Sequence, residues 1–323
     1  MHSSNLPTKV SHMIKYYYRN NKSTSSEIEQ IDTYKKGAWV YAEDPTEDEI
    51  SELVEKFGLD EGHIDDALDV DEVPRLEVEG KLNYIFTRFV YNDDHLQVGT
   101  VPLLLIVGGD TLVTVSSKKI PQLDRFLTGR TDVATTQRTK LLLQLLTVIV
   151  GAYDTQLTAV GRQIKATRYR LRVEDIRNSD FINFVAIEDQ IDDFLTSLAP
   201  TNAILRRLLT GKHLKLYEDD EDLLEDLLLN NEQSIELCRA SLKTIVNIRE
   251  AYSTIMGNNL NRVIRQLTVL TVIMTVPTIV SGIYGMNVAL PFDHSPVAFS
   301  IVMAMIAAIS VLLLFFFRKQ RWF

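Results

Sequence analysis

The sequence predicts an α/β cytosolic domain followed by long α-helices that continue into a two-helix transmembrane hairpin at the C-terminus. Three observations predict it. Charge is plentiful up to Arg265 and nearly vanishes after it. Two uncharged runs, residues 266–292 and 295–317, each exceed the roughly 20 residues a helix needs to cross a hydrocarbon core. Upstream, short extended patterns broken by turn sequences give way after Thr135 to unbroken helical patterning. The expected division is 1–134 for the α/β domain, 135–262 for a helical stalk, and 263–323 for the hairpin with its external loop and basic tail.

In the first region, Thr46 and Glu49 form a capping box ahead of a helix through Phe57. Extended segments follow at 75–78, 82–91, 97–107 and 111–116. Asn92-Asp93-Asp94 and Gly108-Gly109-Asp110 separate them as turns, so the strands they join are expected to be antiparallel neighbours. Helical segments then cover 141–172 and 181–209. A third begins near Leu214, meets no Pro before Pro277, and has Gly257 as its one Gly before the membrane. Running unbroken, it would span about 70 residues, or roughly 100 Å. One small domain cannot cover such a helix, which predicts packing against other helices or copies of the same chain.

Composition narrows the function classes. A formal net charge of -9 argues against nucleic acid as a partner. The lone Cys238 excludes an internal disulfide framework and a Cys-based zinc cluster, and is expected to be buried as a small apolar residue. The N-terminus lacks a basic start with an apolar run, so no secretory leader is expected and the bulk of the chain should be cytosolic. No nucleophile–base set, phosphate loop or metal motif points to an enzyme or to an organic cofactor.

Residues 285–294 are too few to do more than turn the chain between the spans, giving an antiparallel hairpin in the bilayer. Arg262 and Arg265 precede it, Arg318, Lys319 and Arg321 follow it, and the connecting loop has no Lys or Arg. The positive-inside bias puts both chain ends in the cytosol, in an inner or plasma membrane. Trp322 and Phe323 suit an interfacial anchor.

Charge clusters mark the stalk. Arg162, Lys165, Arg168, Arg170 and Arg172 are basic; Glu188, Asp189, Asp192 and Asp193 are acidic. Glu218, Asp219, Asp220, Glu221, Asp222, Glu225 and Asp226 form the densest group. Each reads as a solvated helix face, or, for the last, as a weak divalent-cation sensor.

Within the first span Thr268, Thr271, Thr275, Thr278 and Gly282 fall within about an 80° arc of one helix face. Such a stripe lines a cavity, glues helices together, or bonds back to its own carbonyls. Pro277 removes one backbone hydrogen bond and is expected to bend the helix. The span holds no Asp, Glu or His, so a path along it would offer neutral oxygens, suited to an ion that keeps its waters, as Mg²⁺ does. Two charges moving through about 100 mV gain roughly 4.6 kcal/mol.

The string Ser281-Gly282-Ile283-Tyr284-Gly285-Met286-Asn287, at the end of the first of two C-terminal spans, resembles the signature of the CorA-type magnesium and cobalt transporters. The resemblance implies a funnel-shaped homopentamer in which the first span of each subunit lines a central pore. It implies transport of Mg²⁺, with Co²⁺ and Ni²⁺, driven by the membrane potential and gated by cytosolic Mg²⁺. By position, Asn287 resembles the selectivity-filter asparagine, with Gly285 and Met286 shaping the loop. Gly282, Thr278, Thr275 and Thr271 match pore-facing positions, Leu267 and Ile264 the apolar constriction, and Asn261 the polar ring at its cytosolic end. The family's regulatory Mg²⁺ aspartates suggest Asp226, with Asp93 as its partner. One departure is that Val288-Ala289-Leu290-Pro291-Phe292-Asp293 replaces an acidic, proline-containing loop, so the outer mouth should attract cations less strongly. The alternatives are a Zn²⁺ transporter of the same architecture, against which the six His are scattered without ligand spacing, and a non-conducting membrane-anchored metal sensor or scaffold.

Overall fold

The computed structural model describes residues 13–21, 27–92, 98–173, 178–288, 290–291 and 296–320. They divide into two compact units, Met1–Ile245 and Val246–Phe323. Asp93, Asp293, Arg321, Trp322 and Phe323 lie outside the described residues.

The first unit is built on one seven-stranded sheet. Its strands are β1 (Ile14–Tyr18), β2 (Glu29–Ile31), β3 (Trp39–Glu43), β4 (Leu76–Glu79), β5 (Leu82–Asn92), β6 (Val98–Gly108) and β7 (Thr111–Ser116). They lie in the order β2-β1-β3-β7-β6-β5-β4, with β3 and β7 parallel and the other neighbours antiparallel. The four extended segments expected from the sequence fall on β4 to β7. β5 and β6 pair from Leu82↔Gly108 to Asn92↔Val98, and β6 turns into β7 through Gly108-Gly109-Asp110. Glycine is needed at the first of these, because a Cβ on Gly108 would stand 2.2 Å from the carbonyl oxygen of Lys81.

Strands β1 to β3 were not expected. β3 carries Trp39-Val40-Tyr41-Ala42, buried throughout, so it lacks the alternation of a half-exposed strand. That is the signature of a strand covered on both faces.

Helices supply the two covers. On one face lie α1 (Glu47–Phe57) and α2 (Glu61–Leu68), whose Ile50, Leu53 and Ile64 pack with Val40, Tyr84, Phe86, Leu104, Ile106 and Val113. The expected capping box opens α1: the Thr46 hydroxyl accepts from the Glu49 amide, and the Glu49 carboxylate accepts from the Thr46 amide at 3.0 Å. Past β7 a short helix, α3 (Asp124–Leu127), leads to α4 (Arg138–Val173) and α5 (Asn178–Leu209), which pack against β5 and β6. There the Tyr153 hydroxyl donates to the Arg88 carbonyl at 2.8 Å, and the Thr87 and Thr201 hydroxyls share a hydrogen bond.

The third long helix, α6 (Glu218–Tyr284), runs 67 residues, in line with the expected length. Its early turns belong to the first unit, where Asn231 donates to the Leu198 carbonyl on α5 at 3.0 Å and Leu224, Leu227 and Cys238 are buried. The last helix is α7 (Ala298–Lys319).

Among the described residues, length and composition alone would let three helices cross a membrane: α4, α6 and α7. Packing separates them. Half of the apolar window of α4 is already buried, against 6% for α6 and 0% for α7. Leu141, Leu142, Leu143, Leu145 and Leu146 are at most 1% exposed, and at about 2 kcal/mol each their burial contributes on the order of 10 kcal/mol to the first unit. The apolar character of α4 therefore serves the sheet, while that of α6 and α7 is left almost entirely without protein cover and fits a bilayer.

Candidate functional site

The second unit holds the end of α6, the turn after it, and α7. Between Val246 and Pro277 α6 contains no proline, and the helix continues through Pro277 to Tyr284. Pro277 cannot donate to the Ile273 carbonyl four residues earlier. All four threonines of the stripe bond back to the preceding turn. Thr268 donates to the Ile264 carbonyl at 2.8 Å, Thr271 to Leu267 at 2.8 Å, Thr275 to Thr271 at 2.7 Å, and Thr278 to Met274 at 3.1 Å. This was one of the readings open from sequence. Its chemical consequence is directional: the hydroxyl proton is committed to the helix, so each Oγ1 presents only lone pairs outward.

The two sides of α6 differ. Val269 and Val280 are buried, and Ile273, Val276, Pro277 and Tyr284 are half-buried, all on one side. The expected pore residues Asn261, Ile264, Leu267, Thr271, Thr275, Thr278 and Gly282 are exposed and share the opposite side. On α7 the half-buried residues are Val302, Ile306, Ser310, Leu313 and Phe317, again one face.

Past Tyr284 the chain turns tightly. The Gly285 amide donates to the Ser281 carbonyl at 2.9 Å and the Met286 amide to the Ile283 carbonyl at 3.2 Å. A Cβ on Gly285 would lie 3.2 Å from the Ser281 carbonyl oxygen, closer than side chains ordinarily sit, so glycine relaxes this turn. Met286 and Asn287 follow it and are exposed. The Tyr284 hydroxyl reaches the Pro291 carbonyl at 3.4 Å.

The charge clusters of the first unit resolve differently. Asp220 is buried and caps α6 by accepting from the Tyr217 amide, and Asp219 stands 3.9 Å from Lys140. Asp226 is exposed. Among the described residues no three His, Cys, Asp or Glu side chains converge to hold a metal ion. Asp193 turns inward and accepts from the Thr100 hydroxyl at 2.8 Å, while Arg162, Lys165, Arg168 and Arg170 are exposed. Sequence reasoning missed this polar seam, which includes Ser197 and Thr201. Its signal was available: Asp193, Ser197 and Thr201 repeat every four residues on α5.

The model of the family described as "CorA-like Mg2+ transporter protein" matches residues 34–319. This chain belongs to that family. Among relatives of this CorA-like chain, the cobalt/magnesium transport protein CorA of Methanocaldococcus jannaschii is 24% identical over 296 residues, covering 88% of this chain and 90% of that protein. The cobalt/magnesium transport protein CorA of Thermotoga maritima is 22% identical over 294 residues, covering 85% and 80%. In structure, the complete CorA magnesium transporter from Methanocaldococcus jannaschii superposes with a TM-score of 0.84 at 20% identity, covering 96% of this chain and 99% of that one. The CorA-like fold, with its α/β domain, long helices and apolar C-terminal helices, thus extends over nearly the whole chain.

Proposed function

We propose that this chain is one subunit of a homopentameric, potential-driven channel for divalent cations, Mg²⁺ foremost, with the exposed threonine side of α6 lining the path. The observation that carries this reading is the division of α6 into two sides. The covered side is turned toward protein, and the threonine side is left uncovered with four outward-facing oxygens in a span without carboxylates.

A hydrated divalent cation points the hydrogens of its waters outward, and those hydrogens need acceptors. Back-bonded threonines supply acceptors and no competing donors. A path of neutral acceptors suits an ion that retains its water, as Mg²⁺ prefers, better than one that must be stripped. Asn287, exposed directly after the turn at Gly285-Met286, would offer its amide oxygen to the same waters at the outer mouth. Ile264 and Leu267 would form the apolar constriction and Asn261 the polar ring beyond it. Asp226 would take part in sensing cytosolic Mg²⁺ with a ligand from a neighbouring subunit. The bilayer would be the plasma or inner membrane, with both chain ends in the cytosol. Support for cation transport comes from the two relatives, both named as cobalt/magnesium transport proteins.

The test is ion-resolved flux in proteoliposomes under an imposed membrane potential. Asn287→Ala should abolish Mg²⁺ uptake while the oligomer stays intact by size-exclusion chromatography. Unchanged Mg²⁺ flux in that variant would remove Asn287 from the path. Zn²⁺ flux exceeding Mg²⁺ flux in the parent protein would overturn the assignment of the ion.

A further inference from the structure

Past their sheet contacts, α4 and α5 run on as an antiparallel pair. The Tyr153 and Phe194 rings meet edge to face 5.1 Å apart, and further along Thr167 and Ile187 line one groove. Carrying that register along both helices puts Arg162 level with Asp189 and Tyr169 level with Ile182, to within about one turn.

The two helices present opposite chemistry outward. On α4, Val160, Ile164 and Thr167 are buried, while Arg162, Lys165, Arg168 and Tyr169 are exposed and share an arc of about 120° outside that seam. On α5, Phe184, Ile187 and Ile191 are buried, while Ile182, Val185, Asp189 and Asp192 are exposed within an arc of about 80° on the far side. One face is basic and the other acidic.

Neither set of charges is used within the chain. Among the described residues Arg162, Lys165, Arg168, Asp189 and Asp192 pair with no opposite charge. Other polar groups of the pair are engaged internally: Arg170 donates to the Thr167 hydroxyl at 3.3 Å, and Asp193 accepts from Thr100. Large apolar side chains stand among the unpaired charges on both faces, with Tyr169 69% exposed, Ile182 71% and Val185 53%. Scattered apolar exposure is ordinary, but here it sits at matching heights on two faces of opposite charge.

We propose that these faces are the two halves of one contact between copies of this chain, with α4 of one subunit lying along α5 of the next. Copies related by rotation about an axis along the helices keep equal heights. Arg162 then meets Asp189 of the partner subunit, Tyr169 meets Ile182 of the partner subunit, and Lys165 lies one turn from the first pair. Two different faces make a heterologous contact, which can close into a ring. Exposed charge pairs of this kind set register and order more than tightness. A bilayer surface fits only one of the faces, because the α5 carboxylates would repel anionic lipid. The assignment rests on the oligomer proposed above and names a contact within it, whichever ion passes.

Cross-linking of the full-length protein in vesicles tests it. Tyr169→Cys/Ile182→Cys places thiols at two exposed positions and leaves the charges intact, and the native Cys238 is buried. A short bis-maleimide should give a ladder of covalent multimers on a denaturing gel, which neither single variant gives; a link within one chain leaves the monomer band. Adding Arg162→Glu/Lys165→Glu should cut the ladder by about tenfold or more, and adding Asp189→Lys/Asp192→Lys to that should restore it. The rescue is what a merely structural role would not produce. An oligomer intact by size-exclusion chromatography but without a ladder would overturn the contact and leave the oligomer standing. A monomer by the same measurement would sink both. A ladder indifferent to charge reversal, or not restored by the swap, would also overturn the proposal. So would a fluorophore on Tyr169→Cys that is quenched by doxyl-labelled lipid, which would give this face to the bilayer.

Discussion

Thr275→Val separates the oxygen of the stripe from its shape. The two side chains have nearly the same volume and similar helix propensity, so the helix should persist. What disappears is the Oγ1 that donates to the Thr271 carbonyl at 2.7 Å and faces outward with its lone pairs. A net hydrogen bond to a neutral acceptor contributes ~1 kcal/mol. If the hydrated ion loses two such contacts in passing the ring, the barrier rises by ~2 kcal/mol and flux falls about 30-fold. If all the oxygens of a five-membered ring act together, the loss is ~5 kcal/mol, as much as the roughly 4.6 kcal/mol that 100 mV supplies to two charges. Flux should then be undetectable. Thr275→Ser keeps the oxygen and should retain flux within about threefold of the parent. The assay is Mg²⁺ uptake into proteoliposomes under potassium-diffusion potentials, with the oligomer checked by size-exclusion chromatography. Thr275→Val flux within about twofold of the parent, in an intact oligomer, would refute the argument that these oxygens meet the ion's water.

Three further outcomes follow from particular contacts. Asp226→Lys should make the assembly less responsive to Mg²⁺ in a protease-protection assay, and an unchanged response would take that exposed residue out of the sensor. Burial pushes the Cys238 thiol, which lies outside the uncharged run, up to about 12, so at pH 8 it should stay protonated and resist maleimide until denaturant opens the protein; rapid labelling of the native protein would contradict the burial. Gly108→Ala should destabilise the first unit by ~3 kcal/mol or more, because the new methyl would meet the Lys81 backbone carbonyl, and a thermal melt of the purified protein measures it.

What the sequence disclosed depended on how local each signal was. The β4–β7 strands and the α1 cap were readable because a turn or a capping pair sits within a few residues of the element it defines, as at Gly108-Gly109-Asp110 and Thr46/Glu49. The strands β1 to β3 were not, because β3 earns its place through a parallel pairing with β7, Trp39↔Leu112 to Glu43↔Ser116. No turn marks a partner some seventy residues away, and burial on both faces erases the alternation. The dense acidic cluster shows the same limit from the other side. One-dimensional charge density treated its seven carboxylates as a group, whereas the fold gives Asp220 to a helix cap and Asp219 to Lys140, leaving Asp226 exposed.

The threonine stripe combines both cases, and that is why it bears on function. Its periodicity put five residues on one side of α6 from sequence alone, yet three roles remained open for them. The hydrogen bonds remove part of the ambiguity: a threonine whose proton is held by its own helix is a poor donor to a neighbouring helix and so a weak glue. The covered valines on the other side remove more, since they mark where the hairpin already has its protein contact. In the proposed pore, water or an ion's shell would meet the lone pairs that this back-bonding leaves outward. An oligomer in which these sides face one another satisfies all the oxygens at once, and it does so only if the space between them is wet.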